Sequence, residues 1–248
     1  MQVEGGRRIY GAAIGIAILD LKYPLIPGNV GNASTYDFPV RIKVIKGLHH
    51  APSPPIYDEK GDYTPDVKRF VRAVKELEHE GVRAIVGSCG FFALLQKVAV
   101  EEVNVPVFTS PLMLIPVICR MIHPEKKIGV ITASAKRLTR AYLEPVGVDE
   151  SMPLVIAGLD DSDEFNEVLM QGRRDILDPE ALRKDVVAVA KDLARGHPDV
   201  GVILLECSDL PPFAADIQKA VGLPVFDFIG FINAIQRAVV QKPYVGIL

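Results

Sequence analysis

Residues 82–108, VRAIVGSCGFFALLQKVAVEEVNVPVF, return without a gap 118 positions later as residues 200–226, VGVILLECSDLPPFAADIQKAVGLPVF. Seven of the 27 aligned positions are identical: Val82/Val200, Ile85/Ile203, Cys89/Cys207, Val103/Val221, Pro106/Pro224, Val107/Val225 and Phe108/Phe226. The openings IGIAI from Ile14 and IGVIT from Ile128 echo each other at nearly the same offset. A 248-residue chain that carries one unit twice is constrained to two similar halves. Each half falls near the roughly 100 to 150 residues of an ordinary domain.

Within each copy an apolar, β-branched run leads to the cysteine, then a helical segment, then a PVF strand. IGIAIL, RIKVI, RAIVG and VPVF read as strands of the first half, and KIGVIT, PLVIAG, VGVILLE and LPVF as strands of the second. Helical periods fall between them at Asp66 to Glu80, Ala135 to Leu143 and Pro179 to Arg195. Strands alternating with helices predict an α/β fold with mainly parallel sheets. Gly81 and Gly196 are expected to close helices just before strands. PLIPGNVGNASTYDFPV and HHAPSPPIYDEKGDYTP, rich in Gly, Pro, Asn, Ser and Thr, read as long loops of the functional kind. GNVGNAS matches neither the dinucleotide fingerprint nor the phosphate loop, so nucleotide binding lacks its usual support.

Composition removes further classes. Lys and Arg number 28 against 31 Asp and Glu, a net charge of −3, with the basic residues scattered along helices such as VKRFVRAVKELEHEGVR. That pattern is a solvated face and offers nucleic acid no patch. Three cysteines cannot pair completely, and no CxxC or HExxH spacing is present. Neither a disulfide framework nor a common zinc site is expected, and a reducing cytoplasm is the simplest home. The start, MQVEGGRRIYGAAIGIAILDL, places two arginines before an apolar run, but that run soon meets Asp20 and Lys22. It is therefore read as a buried first strand rather than a signal peptide, and no run is long enough to span a bilayer. His49 and His50 adjoin the second loop; as adjacent side chains without further ligands they read as exposed loop residues rather than a metal pair. His79, His123 and His197 sit at apparent helix ends.

The duplicated cysteine carries the chemistry. Cys89 and Cys207 each stand at the carboxyl end of a strand, where open parallel sheets gather ligands. A helix start there offers unpaired backbone N–H groups that favour a thiolate. If the halves face one another, two thiols flank one cleft, and one removes a proton from a carbon centre while the other returns one to the opposite face. Such 1,1-proton transfer is racemisation or epimerisation. A free cysteine titrates near ~8.5, close enough to neutrality for one partner to serve as base and the other as acid. Cys119, in LMLIPVICRMI, has Arg237 at its repeat position and is assigned to packing.

ECSDLP around Cys207 resembles the GCTE-x-P and GCTH-x-P motifs of the aspartate/glutamate racemase superfamily, which includes hydantoin racemases, maleate isomerases and arylmalonate decarboxylases. The resemblance implies a cofactor-independent enzyme of two Rossmann-like (flavodoxin-like) halves, with the active site in the cleft between them. The halves would be residues 1–112, completed by 227–248, and residues 113–226. Cys207 takes the catalytic thiol position, Ser208 the substrate-binding hydroxyl position and Asp209 that of the acidic residue or histidine. Glu206 replaces the usual glycine. At the first thiol, Cys89-Gly90-Phe91 departs from the CNT of amino-acid racemases, which implies a substrate with a larger or less polar portion. Ser88, Gly90 and Phe91 are expected at the substrate. Thr132 and Ser134, in VITAS, match the place where the family holds a carboxylate, and a helix start there suits an anion. Asn29 and Asn32 are further candidates from the first loop, with Ser34 and Thr35. Asp20 is two residues too distant from Ile14-Gly15 to take the catalytic aspartate of glutamate racemases.

The sequence therefore predicts a two-thiol racemase or epimerase, without cofactor or metal, acting on a small amino acid, hydantoin or related carboxylate. Family members are commonly homodimers. A maleate-isomerase-like reaction through a cysteine adduct is the enzyme alternative. A binding protein using the cleft without turnover is the alternative from another class.

Overall fold

The computed structural model describes residues 5–6 and 10–247. Eight strands form two four-stranded parallel sheets. The first contains β1 (Ile14–Leu19), β2 (Val40–Ile45), β3 (Ala84–Gly87) and β4 (Val107–Phe108). The second contains β5 (Lys127–Thr132), β6 (Leu154–Gly158), β7 (Val200–Leu205) and β8 (Val225–Phe226). Their orders, β2-β1-β3-β4 and β6-β5-β7-β8, are the same topology twice. All eight strands were legible in the sequence: the central ones are apolar runs because parallel strands are covered on both faces, whereas the edge strand β2 keeps Arg41 and Lys43 among its apolar residues. β1 is buried along its whole length.

The helices are α1 (Pro65–Glu80), α2 (Gln96–Glu102), α3 (Ile115–Ile118), α4 (Arg140–Leu143), α5 (Pro179–Gly196), α6 (Ala214–Val221) and α7 (Phe228–Val239). α1 and α5 are the long amphipathic covers of the two sheets. Both begin with proline at the first turn, and the Asp178 carboxylate caps α5 by accepting from the amides of Glu180 and Ala181. The shared glycine of the two openings has a packing reason. A Cβ on Gly15 would lie 3.1 Å from Leu77 of α1, and one on Gly129 would lie 2.7 Å from Leu193 of α5. In each half the missing side chain lets the covering helix approach the central strand.

Two boundaries differ from the sequence reading. Gly81 ends α1 in the left-handed conformation, at φ 89°, whereas Gly196 is the last residue of α5 and His197 follows as its cap. The helix expected from Ala135 to Leu143 shrinks to Arg140–Leu143, because the Asp160 carboxylate engages Ser134 and the Ala135 amide and a turn occupies the intervening residues.

The segments after β4 and β8 tie the halves together. Phe228, Ile232 and Ile235 of α7 are buried with Ile14, Ile16, Ala84 and Val86 of the first sheet. The short 3-10 helix Pro111–Leu114, which precedes α3, packs against β7 of the second. Among the described residues no helix is long and apolar enough to cross a membrane.

Candidate active site

Cys89 and Cys207 each stand two residues beyond a strand, β3 and β7 respectively. The chain leaves both strands in the same way. The Ser88 amide donates to the Ala17 carbonyl at 3.1 Å, and the Glu206 amide donates to the Ile131 carbonyl at 2.9 Å. Each thiol is thus held beside the end of a central strand, with a short 3-10 helix, Gly90–Leu95 or Pro211–Phe213, soon after it.

The two thiols line one cavity of about 60 Å³ between the halves. A space of that size holds on the order of five waters, which suits a small organic molecule and excludes a polymer. Its polar lining is Tyr23, Ser88, Glu206, Ser208 and Asp209; Leu19, Leu21, Phe91, Phe165, Leu169 and Met170 are apolar. His49, His50, Ala51, Arg137 and Met170 also line an adjoining surface depression, which makes that side the mouth.

Asp209 is the best-anchored polar group. Its Oδ1 accepts from Asn29 Nδ2 at 2.5 Å, and its Oδ2 accepts from the Tyr23 hydroxyl at 3.1 Å and from the Cys207 thiol at 3.5 Å. Burial raises its carboxyl to about 6 while those three donors pull it down, so it is largely ionised at neutral pH. Burial, then the charge of Asp209, holds the Tyr23 hydroxyl well above the ordinary range, so it stays a donor.

Both thiols are pushed up rather than down. Burial, with the Glu206 carboxylate next, takes Cys89 up to about 12 against the smaller opposing effect of the Phe91 amide. Burial, then Asp209 and Glu206, holds Cys207 well above the usual thiol value against the Asp209 amide. The helix-start effect expected from sequence is present, and desolvation outweighs it. The resting site therefore holds two neutral thiols beside an ionised carboxylate.

Glu206 is wholly buried. Its Oε2 accepts from the Thr132 hydroxyl at 2.8 Å, and its Oε1 has no hydrogen-bond partner. Burial raises this carboxyl to about 7. Gly90 lies directly against it: a Cβ there would sit 2.0 Å from Glu206 Oε1 and 2.3 Å from its backbone oxygen. The two departures from the family motifs, glycine after the first thiol and glutamate before the second, are thus one packing solution. Gly90→Ala is expected to destabilise the fold by about 1–3 kcal/mol, the usual range for overpacking. Glu206→Ala should recover only part of that loss, since the backbone oxygen remains; denaturant unfolding of both single variants and the double variant measures it.

The remaining sequence candidates divide clearly. Ser88, Gly90, Phe91 and Ser208 line the cavity with the thiols and Asp209. Ser88 Oγ accepts from the Leu19 amide at 3.3 Å, and Phe91 meets Tyr142 edge-on with the Arg137 guanidinium 5.3 Å above its ring. Among the described residues the Ser208 hydroxyl has no hydrogen-bond partner. Asn29 reaches the site only through Asp209, and Asn32 caps the 3-10 helix Ala33–Thr35 while donating to the Leu25 carbonyl. Neither asparagine lines the cavity. Thr132 and Ser134 do not line the cavity either. Thr132 holds Glu206, and Ser134 donates to Asp160 at 2.5 Å, so the carboxylate at that turn is the protein's own. Asp20 accepts from the Gly47 amide, and its carbonyl meets His49 Nδ1 at 2.8 Å. Cys119 is partly buried at the end of α3, away from the cavity. Sequence reasoning did not assign Tyr23 or Arg137, which come from turns without periodicity. Among the described residues, no cluster of three or more His, Cys, Asp or Glu could hold a metal ion, and Arg137 makes no ion pair.

Comparison with known proteins places this arrangement. A family model described as Asp/Glu/Hydantoin racemase matches residues 41–231. A dimethylsulfoniopropionate lyase of Durusdinium sp. clade D is 32% identical over 242 residues, covering 95% of this chain and 78% of that protein. Dimethylsulfoniopropionate lyase 3 of Emiliania huxleyi (strain CCMP1516) is 31% identical over 242 residues; the chain spans 62% of its length, under two-thirds. Among solved structures, unliganded arylmalonate decarboxylase superposes with a TM-score of 0.59 at 18% identity, covering 93% of this chain and 94% of that one. The glutamate racemase isoform RacE1 of Bacillus anthracis gives 0.57 at 16%, covering 93% and 85%.

Proposed function

The chain belongs to the Asp/Glu/hydantoin racemase family, and from the asymmetry of its site we propose that it is a one-base carbon-acid lyase. The reaction is β-elimination from a small carboxylate with a cationic leaving group, of which dimethylsulfoniopropionate is the model substrate. The observation that carries this reading is that, among the described residues, only one of the two cavity thiols has a hydrogen-bonded proton acceptor. Cys207 donates to Asp209, two residues on, whereas Cys89 has Phe91 at the matching position. Two-way racemisation needs each thiol to serve in turn as thiolate. Elimination needs one. The named relatives, similar along 95% of the chain, support the same choice.

The steps follow from the residues. Asp209 takes the proton of Cys207 as substrate enters, and the positive sulfonium offsets the charge of the thiolate. The Cys207 thiolate removes a proton from the carbon next to the substrate carboxylate. The released electron pair forms the Cα=Cβ bond, and the Cβ–S pair departs with sulfur as neutral dimethyl sulfide, leaving acrylate. Asp209 releases its proton to solvent, and the proton now on Cys207 resets the pair. The Ser208 hydroxyl and the Arg137 guanidinium are the free donors for the substrate carboxylate, whose negative charge grows as the proton leaves.

The test is proton NMR of the purified chain with dimethylsulfoniopropionate, reading acrylate together with dimethyl sulfide in the headspace. The expected result is both products in equal amounts. Racemisation is the second reading, favoured by the placement of Cys89 on the same cavity. A panel of amino acids, hydantoins and dicarboxylates in D₂O distinguishes it: deuterium at the carbon acid from both enantiomers, with no acrylate, would overturn the lyase reading.

A further inference from the structure

A buried carboxylate is ordinarily paired or fully hydrogen-bonded, because removing it from water is costly. Glu206 is neither. Its Oε2 holds the Thr132 hydroxyl and the Ala133 amide also favours the carboxylate, but among the described residues Oε1 has no hydrogen-bond partner, and the residue lines the cavity beside Cys207. Gly90 removes the side chain that would otherwise collide with that free oxygen. Around it stand a second carboxylate, Asp209, and the aromatic rings of Tyr23 and Phe91, while the nearby cation, Arg137, is exposed at the mouth. Such a lining repels a second negative charge and attracts a positive one, through both the carboxylates and the ring faces.

We propose that Glu206 is the cation-recognition residue of this cavity: its buried carboxylate, incompletely hydrogen-bonded within the protein, supplies the negative charge that the positive group of a small zwitterionic carboxylate offsets. It thereby selects sulfonium and quaternary ammonium compounds over neutral or doubly anionic ones of the same shape. The assignment rests on the lyase reading for the natural identity of the cation, but charge selection is measurable without turnover. It also gives a physical reason for glutamate where the family resemblance places glycine. A glycine there leaves no charge, whereas a carboxylate held by Thr132 is fixed in place before the substrate arrives.

The test compares two carboxylate probes that differ only in the charge of the head group, 3-(trimethylammonio)propionate, whose head is cationic, and its isostere 4,4-dimethylpentanoate, whose head is neutral, by calorimetric titration at about pH 8, where Glu206 is largely ionised. The wild-type chain is expected to bind the cationic probe roughly 30-fold or more tightly than the neutral one. Glu206→Gln should cut that ratio at least about fivefold, leaving the preference that Asp209 and the ring faces supply. Glu206→Asp, keeping the charge on a shorter arm, should give an intermediate ratio. Because each ratio is internal to one variant, a general loss of folded protein does not imitate the effect. An unchanged ratio in Glu206→Gln, or no preference in the wild type, overturns the assignment. Wild-type turnover of dimethylsulfoniopropionate scores the lyase reading separately. Turnover with an unchanged ratio sinks the role of Glu206 alone; a Glu206-dependent ratio without turnover sinks the lyase reading alone.

Discussion

Cys207→Ala is expected to lower dimethylsulfoniopropionate elimination by about 10³-fold or more, within the range for loss of a positioned base, while Cys89→Ala keeps it within about tenfold. The unequal response follows from the proton path. Cys207 gives its proton to Asp209 across 3.5 Å, and Asp209 is itself fixed by Tyr23 and Asn29. Cys89 faces Glu206, whose charge raises the thiol further instead of accepting its proton through a hydrogen bond. The same path sets the pH dependence. Asp209 must be ionised to take the proton, so kcat/KM should be low in acid and rise as pH passes through about 6, with a further rise through about 7 as Glu206 ionises to hold the cation. Asp209→Asn should remove the rise near 6 along with most of the activity, leaving the Glu206 dependence. Steady-state rates across pH for the wild type and the three variants test the path. Equal losses in Cys89→Ala and Cys207→Ala would instead favour a reaction that uses both thiols, and hence racemisation.

The parts of this site that were legible in the sequence are those fixed by repetition. Cys89 and Cys207 stand out because two copies of one unit place them at the same strand end, and the topology of the two sheets repeats with them. Apolar runs mark the central strands because both faces are covered, and proline-initiated amphipathic periods mark α1 and α5. What the sequence could not reveal depends on contacts between segments remote in the chain. Asn29 looks like a ligand-binding loop residue until Asp209, 180 positions away, is seen to take its amide. Ser134 looks like a helix cap open to an anion until Asp160 fills that place. The short π-helix Phe165–Met170 has no apolar period to announce it, yet it brings Phe165, Leu169 and Met170 to one wall of the cavity. Glu206 did leave a trace, a lone charge closing the run VGVILLE, where a buried strand leaves little water for it. Its partner Gly90 belongs to the other half, so the reason for either residue is visible only with both in view.

Replacing that charge is expected to change stability with a definite sign. In the folded protein burial raises the Glu206 carboxyl from its ordinary 4.5 to about 7. The folded state therefore binds this proton more tightly than the unfolded chain does. The stabilisation is complete below the unfolded value and is lost as pH rises through the folded one. Glu206→Gln cannot lose that proton, so its stability relative to the wild type should rise between about pH 5 and about pH 8 by about 2 to 3 kcal/mol. Asp209 is present in both proteins and enters the difference only through its coupling to Glu206. Urea unfolding at the two pH values supplies the four free energies required. A pH-independent difference would mean that Glu206 is ionised and satisfied in the folded state. If the difference does grow with pH, the wild-type chain carries an uncompensated buried charge at neutral pH, and 3-(trimethylammonio)propionate should restore more stability to it than to Glu206→Gln, because only the wild type presents a charge for the probe to neutralise.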